Sequence, residues 1–424
     1  MSWEKVTLGS ISENIQTGPF GSQLHQSDYS ENGIPVVMPK DMVGGHISEA
    51  SIARVSESHV NRLNRHVINV GDILYSRRGD VGRCALATEK EQGWLCGTGC
   101  LKVTIDKKKA NAKFVFYQLQ KSETVGWVEK HAVGATMLNL NTSILSDVPI
   151  EVPELEKQDK IVGILSAYDD LIENSQKQIK LLEEVAQRLY KEWFIDLRFP
   201  GHETTPIING IPEGWIKVTI AAVCQTLGGG TPSTKVPAYY ENGSILWVTP
   251  TDITKSNSLA ILDTEKKITK EGLANSSAKM VPPGTILMTS RASIGFFGLF
   301  ENEVCTNQGF INCIPNKTEL QMFLLYNLKS RVDEIRQKAS GSTFLEISKS
   351  AFREFQIIIP DDRTLQRFQD ITYGLYKKVR THTKQIYELT QVRNRLLPKL
   401  MNAEIEVHIC KHNLAFHNSL CFQA

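Results

Sequence analysis

The sequence predicts a mixed α+β chain: two similar heads, each followed by a long helix, with the two helices paired antiparallel within one polypeptide. Three observations carry that prediction. The second half repeats the first, each half closes in a helical tract with the same apolar spacing, and each head alternates short strand-like runs with turn residues. Trp3-Glu4-Lys5-Val6 returns as Trp215-Ile216-Lys217-Val218. Pro39 and Asp41 return as Pro250 and Asp252, a spacing of 211 (250 − 39). Gly71-Asp72-Ile73-Leu74 returns as Gly284-Thr285-Ile286-Leu287, a spacing of 213 (284 − 71). Gly134-Ala135-Thr136 returns as Gly341-Ser342-Thr343, a spacing of 207 (341 − 134). A tandem duplication whose loops have drifted accounts for these offsets. The boundaries read as a head over 1–153, a long helix over 154–197, a linker over 198–214, a second head over 215–360, a second helix over 361–402 and a poorly ordered tail over 403–424.

In the first head, residues 34–38, 72–75 and 101–105 read as strands separated by turns rich in Gly, Asn and Ser. A helix is expected over 112–121, with Phe114, Phe116 and Leu119 on its apolar side. Residues 148–153 read as a last strand, and its prolines place it at an edge. Beyond Glu154 the texture changes: proline vanishes and apolar residues fall at Ile161, Ile164, Tyr168, Ile172, Ile179, Leu182, Val185 and Leu189. Steps of three and four mark a coiled-coil seam. About 40 residues at ~1.5 Å each give a rod of about 60 Å. The linker is polar and rich in Pro and Gly. The second rod repeats the seam 207 positions later (368 − 161) at Phe368, Ile371, Leu375, Val379, Ile386, Leu389, Val392 and Leu396. Both seams are interrupted once, by Ser175 and by His382. A small head cannot bury such a rod, so the rods are expected to pair, with Ser175 facing His382 in a polar layer that sets register.

Composition narrows the class. The 424-residue chain is 41% hydrophobic and 22% charged, with a formal net charge of +2. Its apolar runs are too short to span a bilayer, and no export signal is visible, so a cytoplasmic protein is expected. The eight cysteines show no zinc spacing and are expected to be reduced and mostly buried. His408, Cys410, His412, His417 and Cys421 offer metal-binding side chains but lie in the tail.

No phosphate loop, dinucleotide fingerprint or nucleophile elbow is present. Asp252 with Glu265-Lys266-Lys267 could serve a metal-dependent nuclease, but Asp41 has no matching acidic segment. The recurring polar groups suit recognition better. Two loops, 18–23 and 228–233, carry backbone amides and hydroxyls that can approach phosphates. Arg78 and Arg291 stand at the same repeat position, after a strand, and arginine can pair with guanine through two hydrogen bonds. The candidate contact residues are Ser22, Gln23, Lys40, Arg77, Arg78 and Thr136 in the first head. In the second they are Thr231, Ser233, Lys235, Thr251, Arg291, Ser342 and Thr343.

These segments together resemble the DNA-specificity subunits of type I restriction-modification systems. The resemblance runs from Trp3 to about Val407. It rests on the opening Trp3 to Ile11, the repeated Gly71-Asp72-Ile73-Leu74, Thr306-Asn307-Gln308-Gly309-Phe310, and the rod ends at Arg188 to Phe194 and Arg395 to Met401. The first head departs at Gly97-Thr98-Gly99, and so does the tail. The resemblance implies a non-catalytic subunit. Each head would be a target-recognition domain for half of a bipartite, asymmetric site in double-stranded DNA. The rods would space the heads and dock two methyltransferase subunits, to which restriction subunits are added. That complex would hold adenine-specific DNA methyltransferase and site-specific deoxyribonuclease activity. No cofactor is expected on this chain, S-adenosylmethionine, ATP and Mg belonging to the partners, and no membrane is involved. A two-headed adaptor that binds only protein is the other alternative to the nuclease.

Overall fold

The computed structural model describes residues 3–134, 137–341 and 344–407. The tail histidines and cysteines therefore lie outside the described residues. The chain divides into two compact units, residues 1–169 with 391–424, and residues 170–390. Two long helices, α1 (Leu155–Tyr190) and α2 (Asp362–Met401), each contribute to both units.

Each unit holds a head, and the two heads share the order of their central sheet and the pairing of their first and last strands. In the first, an antiparallel sheet runs in the order Ser12–Thr17, Cys100–Ile105, Ile73–Ser76, Cys84–Leu86. Its counterpart in the second runs Cys224–Gly228, Phe310–Pro315, Ile286–Thr289, Phe297–Gly298. A second sheet in each head is built on one parallel pair, Ile34–Val37 beside Leu95–Cys96 and Ile245–Val248 beside Val304–Thr306. The first and last strands of each head pair with each other: Glu4–Thr7 with Pro149–Val152, and Ile216–Thr219 with Gln356–Ile359. Pro149 sits at the end of its strand, opposite Thr7, where its missing N–H removes no central ladder bond.

The helices close each core. In the first unit Ile161 and Leu165 from the start of α1 share a hydrophobic core with Leu400 and Met401 from the end of α2. Arg393 donates to Asp169 there at 2.8 Å. In the second unit Ile179, Ala186 and Tyr190 share a core with Leu365, Phe368, Tyr376 and Val379. The rings of Tyr190 and Trp193 stand 6.1 and 5.8 Å from that of Phe368. In both units the start of one helix meets the end of the other, so the pairing is antiparallel. Each head is seated on both helices rather than on its own alone.

The seam differs from its sequence-based assignment in three places. Val185, Ile371 and Val392 are 51%, 46% and 42% exposed. Leu165, Ala186 and Tyr190, with Thr372 and Tyr376, are buried instead. Ile164 and Leu165 are both apolar, so the pattern left open whether the first step from Ile161 is three or four residues. Taking the step of four gives a regular run through 161, 165, 168, 172, 175, 179, 182 and 186. Tyr168, Ile179, Leu182, Leu189, Leu375, Ile386, Leu389 and Leu396 are buried or half-buried, as expected. Ser175 is buried and His382 half-buried, but no hydrogen bond joins them, and His382 Nδ1 is buried without a partner among the described residues.

α1 passes into a π turn, Lys191–Ile195, before the chain enters the linker. The linker is ordered around a small hairpin, Ile207–Ile208 with Ile211–Pro212. Asn209 and Gly210 turn it, both with positive φ (52° and 79°), the conformation an Asn-Gly hairpin turn requires. Phe199 anchors it against Trp215, ring centroids 4.8 Å apart.

Candidate nucleic-acid interface

Four segments meet beside the central sheet of each head; the bonds that hold the arginine turn and close the last loop recur at repeat positions, while the first loop is anchored differently in the two heads. In the first head the loop at 18–23 leaves strand Ser12–Thr17. The Gly18 N–H donates to Cys100 O at 2.9 Å, and the Thr98 hydroxyl donates to Pro19 O at 3.1 Å. The turn at 77–79 leaves strand Ile73–Ser76 and is held on both sides. Arg77 N–H donates to Gly99 O (2.8 Å), while Leu140 N–H donates to Arg77 O (2.8 Å) and Gly79 N–H to Leu138 O (3.0 Å). Val133 and Asn139 exchange two backbone bonds (3.0 and 2.8 Å) that close the last loop. In the second head Gly230 N–H reaches Thr306 O (2.9 Å), and the Thr231 hydroxyl donates to Gln308. Ser290 N–H reaches Gly309 O (2.8 Å), Ala292 N–H reaches Leu345 O (2.9 Å), and Ser340 and Glu346 exchange bonds of 3.0 and 2.9 Å.

The glycines of the first loop serve packing before recognition. A Cβ at Gly18 would stand 2.0 Å from the carbonyl oxygen of Gly97, and one at Gly229 would stand 2.2 Å from that of Asn307, the counterpart of Gly97. The two are repeat counterparts (229 − 18 = 211), so the same close approach is kept in both heads. Gly18 and Gly230 spend their amides inside the head, which corrects the reading of those N–H groups as free for phosphate. Gly79 has φ 75°, and its counterpart Ala292 has φ 59°. An L residue in that region is held there against its own sterics by the surrounding loops.

The predicted contact residues divide by exposure. Ser22, Ser233 and Lys235 are exposed, with no side-chain bond among the described residues. Arg78 is exposed and unpaired in the same sense. Gln23 is committed to its loop, Oε1 accepting from Phe20 N–H at 3.0 Å. Lys40 Nζ donates to Ser51 O at 3.0 Å. Thr251 is exposed in the first turn of Pro250–Thr254. Arg291 Nε lies 3.7 Å from a Glu346 carboxylate oxygen, and its guanidinium carbon is 5.9 Å from the Phe344 ring centre. The Arg77 guanidinium carbon is 5.8 Å from the Phe20 ring centre. Thr136, Ser342 and Thr343 lie outside the described residues. Sequence reasoning missed Phe20 and Phe344. Both are large apolar side chains in loops that a buried core does not need, 55% and 57% exposed.

Asp252, the starting point of the nuclease alternative, caps a short helix. Its Oδ2 accepts from Thr249 N–H (2.7 Å) and the Thr249 hydroxyl (2.7 Å), and its Oδ1 accepts from Glu265 N–H (2.8 Å). Asp41 caps the equivalent turn through Met38 N–H (2.9 Å). Burial holds its carboxyl above the usual range, against the pull of that N–H. Among the described residues no group of three or more His, Cys, Asp or Glu side chains is placed to hold a metal ion. No helix there is long and apolar enough to cross a membrane.

Residues 1–184 and 212–391 each match the type I restriction modification DNA specificity domain. The chain is 27% identical over 397 residues to the type I restriction enzyme MjaIX specificity subunit of Methanocaldococcus jannaschii, covering 90% of this chain and 88% of that one. It is 22% identical to the HindI specificity subunit of Haemophilus influenzae, covering 95% and 99%. Among solved structures, the S subunit of a type I restriction-modification system from M. genitalium superimposes with a TM-score of 0.57. That match has 18% identity and covers 94% of this chain and 96% of that one, a likeness of fold.

Proposed function

The chain belongs to the type I restriction-modification DNA specificity family, and we propose from that membership that it directs a modification and restriction complex to a two-part DNA sequence. Each head reads one half-site in double-stranded DNA. The long helices hold the heads in register along the duplex and dock methyltransferase subunits, on which restriction subunits assemble. S-adenosylmethionine, ATP and Mg are used by those partners. The observation that carries this reading is the duplicated site in which an arginine turn and the last loop are held by matching backbone bonds, with an exposed arginine in each head.

Supporting the docking role, Leu171, Leu181, Val185, Ile371, Tyr387 and Val392 leave apolar surface exposed along the helices. Such surface on a charged helix suits a subunit interface. The chemistry of the loops fits positioning and reading: hydroxyls and lysines for phosphate, arginine for base edges.

Mapping adenine methylation across host DNA with and without this gene tests the reading. A gene-dependent motif of two short half-sites separated by a spacer of constant length is expected. An unchanged methylation pattern in cells that also express the partner subunits refutes it. So does a motif that is a single uninterrupted sequence.

A further inference from the structure

The two heads are repeats, yet their aromatic–arginine pairs do not occupy repeat positions. In the second head Arg291 leans on Phe344, which comes from the last loop. In the first head the counterpart of Arg291 is Arg78 (291 − 78 = 213), and no ring among the described residues lies beside the Arg78 guanidinium. The arginine that lies over a ring there is Arg77, whose counterpart in the second head is Ser290 (290 − 77 = 213). Its ring is Phe20, from the first loop. Met137 stands where Phe344 would be (344 − 137 = 207).

The geometry points to Arg77 and Arg291 as the base-reading arginines, with Phe20 and Phe344 as the positioning residues that pre-organise them, and to Arg78 as a phosphate contact. This assignment rests on the DNA-reading function proposed above. Guanine offers N7 and O6 side by side, and a guanidinium meets both only when its plane is set in advance. A ring face within about 6 Å attracts the guanidinium and so favours that placement over others. Arg77 is restrained further, because its backbone N–H and carbonyl are both bonded between two loops. Its Nε is buried without a partner among the described residues, so its terminal nitrogens form the edge left for a ligand. Arg291 lies over the Phe344 ring, and its Nε is 3.7 Å from a Glu346 carboxylate oxygen. The Arg78 backbone is held by the same loop bonds and by the Ser76 hydroxyl, which donates to its carbonyl at 3.1 Å, but among the described residues its guanidinium has neither a ring nor a carboxylate beside it. A freely rotating cation is suited to phosphate, which asks for charge rather than for a set plane.

The test uses the full chain co-purified with its partner subunits and a library of duplexes with a randomised core. Bound members are sequenced, and the affinity of the pool is measured against salt. The wild type enriches a two-part motif. R77A blurs guanine positions in one half-site and R291A blurs them in the other, each costing about five- to 150-fold in discrimination there. R78A keeps the motif, weakens binding to every duplex, and lowers the slope of log affinity on log salt by about one. F20L and F344L weaken cognate binding about two- to fivefold, and F20Y and F344Y restore it. The assignment is overturned if R78A blurs the motif while R77A leaves it sharp, or if R77A only lowers the salt slope. A wild-type complex that enriches no motif overturns the DNA-reading function and this inference with it.

Discussion

Removing one member of the buried ion pair in the first head should unfold that head far more readily than removing both. Lys102 Nζ stands 3.5 Å from Asp72 Oδ2, and the side chains are 6% and 1% exposed. Asp72 also accepts from Asn69 N–H (2.8 Å) and the Thr104 hydroxyl (2.6 Å), and Lys102 donates to Val67 O (2.6 Å). The pair is thus satisfied, and its strength depends on both charges being present. In Lys102→Met the stem is kept but the Asp72 charge stays buried with only neutral donors. Breaking a buried pair in this way costs about 3–5 kcal/mol. The double change Asp72→Asn with Lys102→Met leaves no charge, keeps an acceptor for Asn69 N–H, and should cost about 1 kcal/mol or less, since buried pairs roughly balance their own desolvation.

The second head supports this estimate: its counterparts are Thr285 (285 − 72 = 213) and Asn312 (312 − 102 = 210), both buried and both neutral. Native-state amide exchange of strand Cys100–Ile105 reports the opening of this head without assuming that the whole chain unfolds in one step. At ~1.4 kcal/mol per factor of ten, the single variant should exchange about two to four powers of ten faster and the double within about one power of ten of wild type. Equal acceleration in both variants would refute the reasoning, because the cost would then come from packing rather than from a stranded charge.

Three further outcomes are expected. Leu165→Ala should lower stability by about 2–5 kcal/mol, whereas Val185→Ala should change it by about 0.5 kcal/mol or less; comparable losses in denaturant unfolding would restore the original seam assignment. Ala292→Gly should not destabilise the second head and should gain up to about 1 kcal/mol, because the left-handed backbone costs alanine ~1–2 kcal/mol and glycine returns part of that as chain entropy; a clear loss of thermal stability counts against strain at this turn. Asp361 caps α2 by accepting from the Thr364 N–H (3.0 Å) and hydroxyl (2.7 Å). Burial pushes its carboxyl up, but these bonds, together with the Arg363 N–H and the Trp215 indole, outweigh it and hold the carboxyl below its ordinary 3.8. A depressed carboxyl stabilises above its unfolded value and loses that contribution as pH falls through its folded one. Asp361→Ala should therefore cost about 1 kcal/mol at neutral pH, with the gap to wild type narrowing as pH falls below about 3.8; a gap that stays constant or widens on acidification would contradict this.

What could be read from the chain beforehand depended on whether the signal was periodic. The duplicated heads, the strand at Cys100–Ile105, the helix at Ala112–Leu119 and the two long helices follow from repeats and apolar spacing. The choice between Ile164 and Leu165 did not, because both are apolar and only the packed partner decides which faces inward. The hairpin at Asn209-Gly210 carried a strong local signal that the surrounding Pro and Gly residues masked. At the site, recurrence located the arginine turn but not the function of each residue in it. Gly18 and Gly229 recur because two chains pass too close for a side chain, which is a structural reason that looks like a functional one in sequence. Phe20 and Phe344 do not recur, yet each backs an arginine. Under the proposed function the duplicated heads read different half-sites, which requires their scaffold kept and their contacts changed. Repetition is therefore evidence for the frame that holds the loops, and the residues that break it, Arg77 against Ser290 and Met137 against Phe344, are where discrimination between half-sites is to be sought.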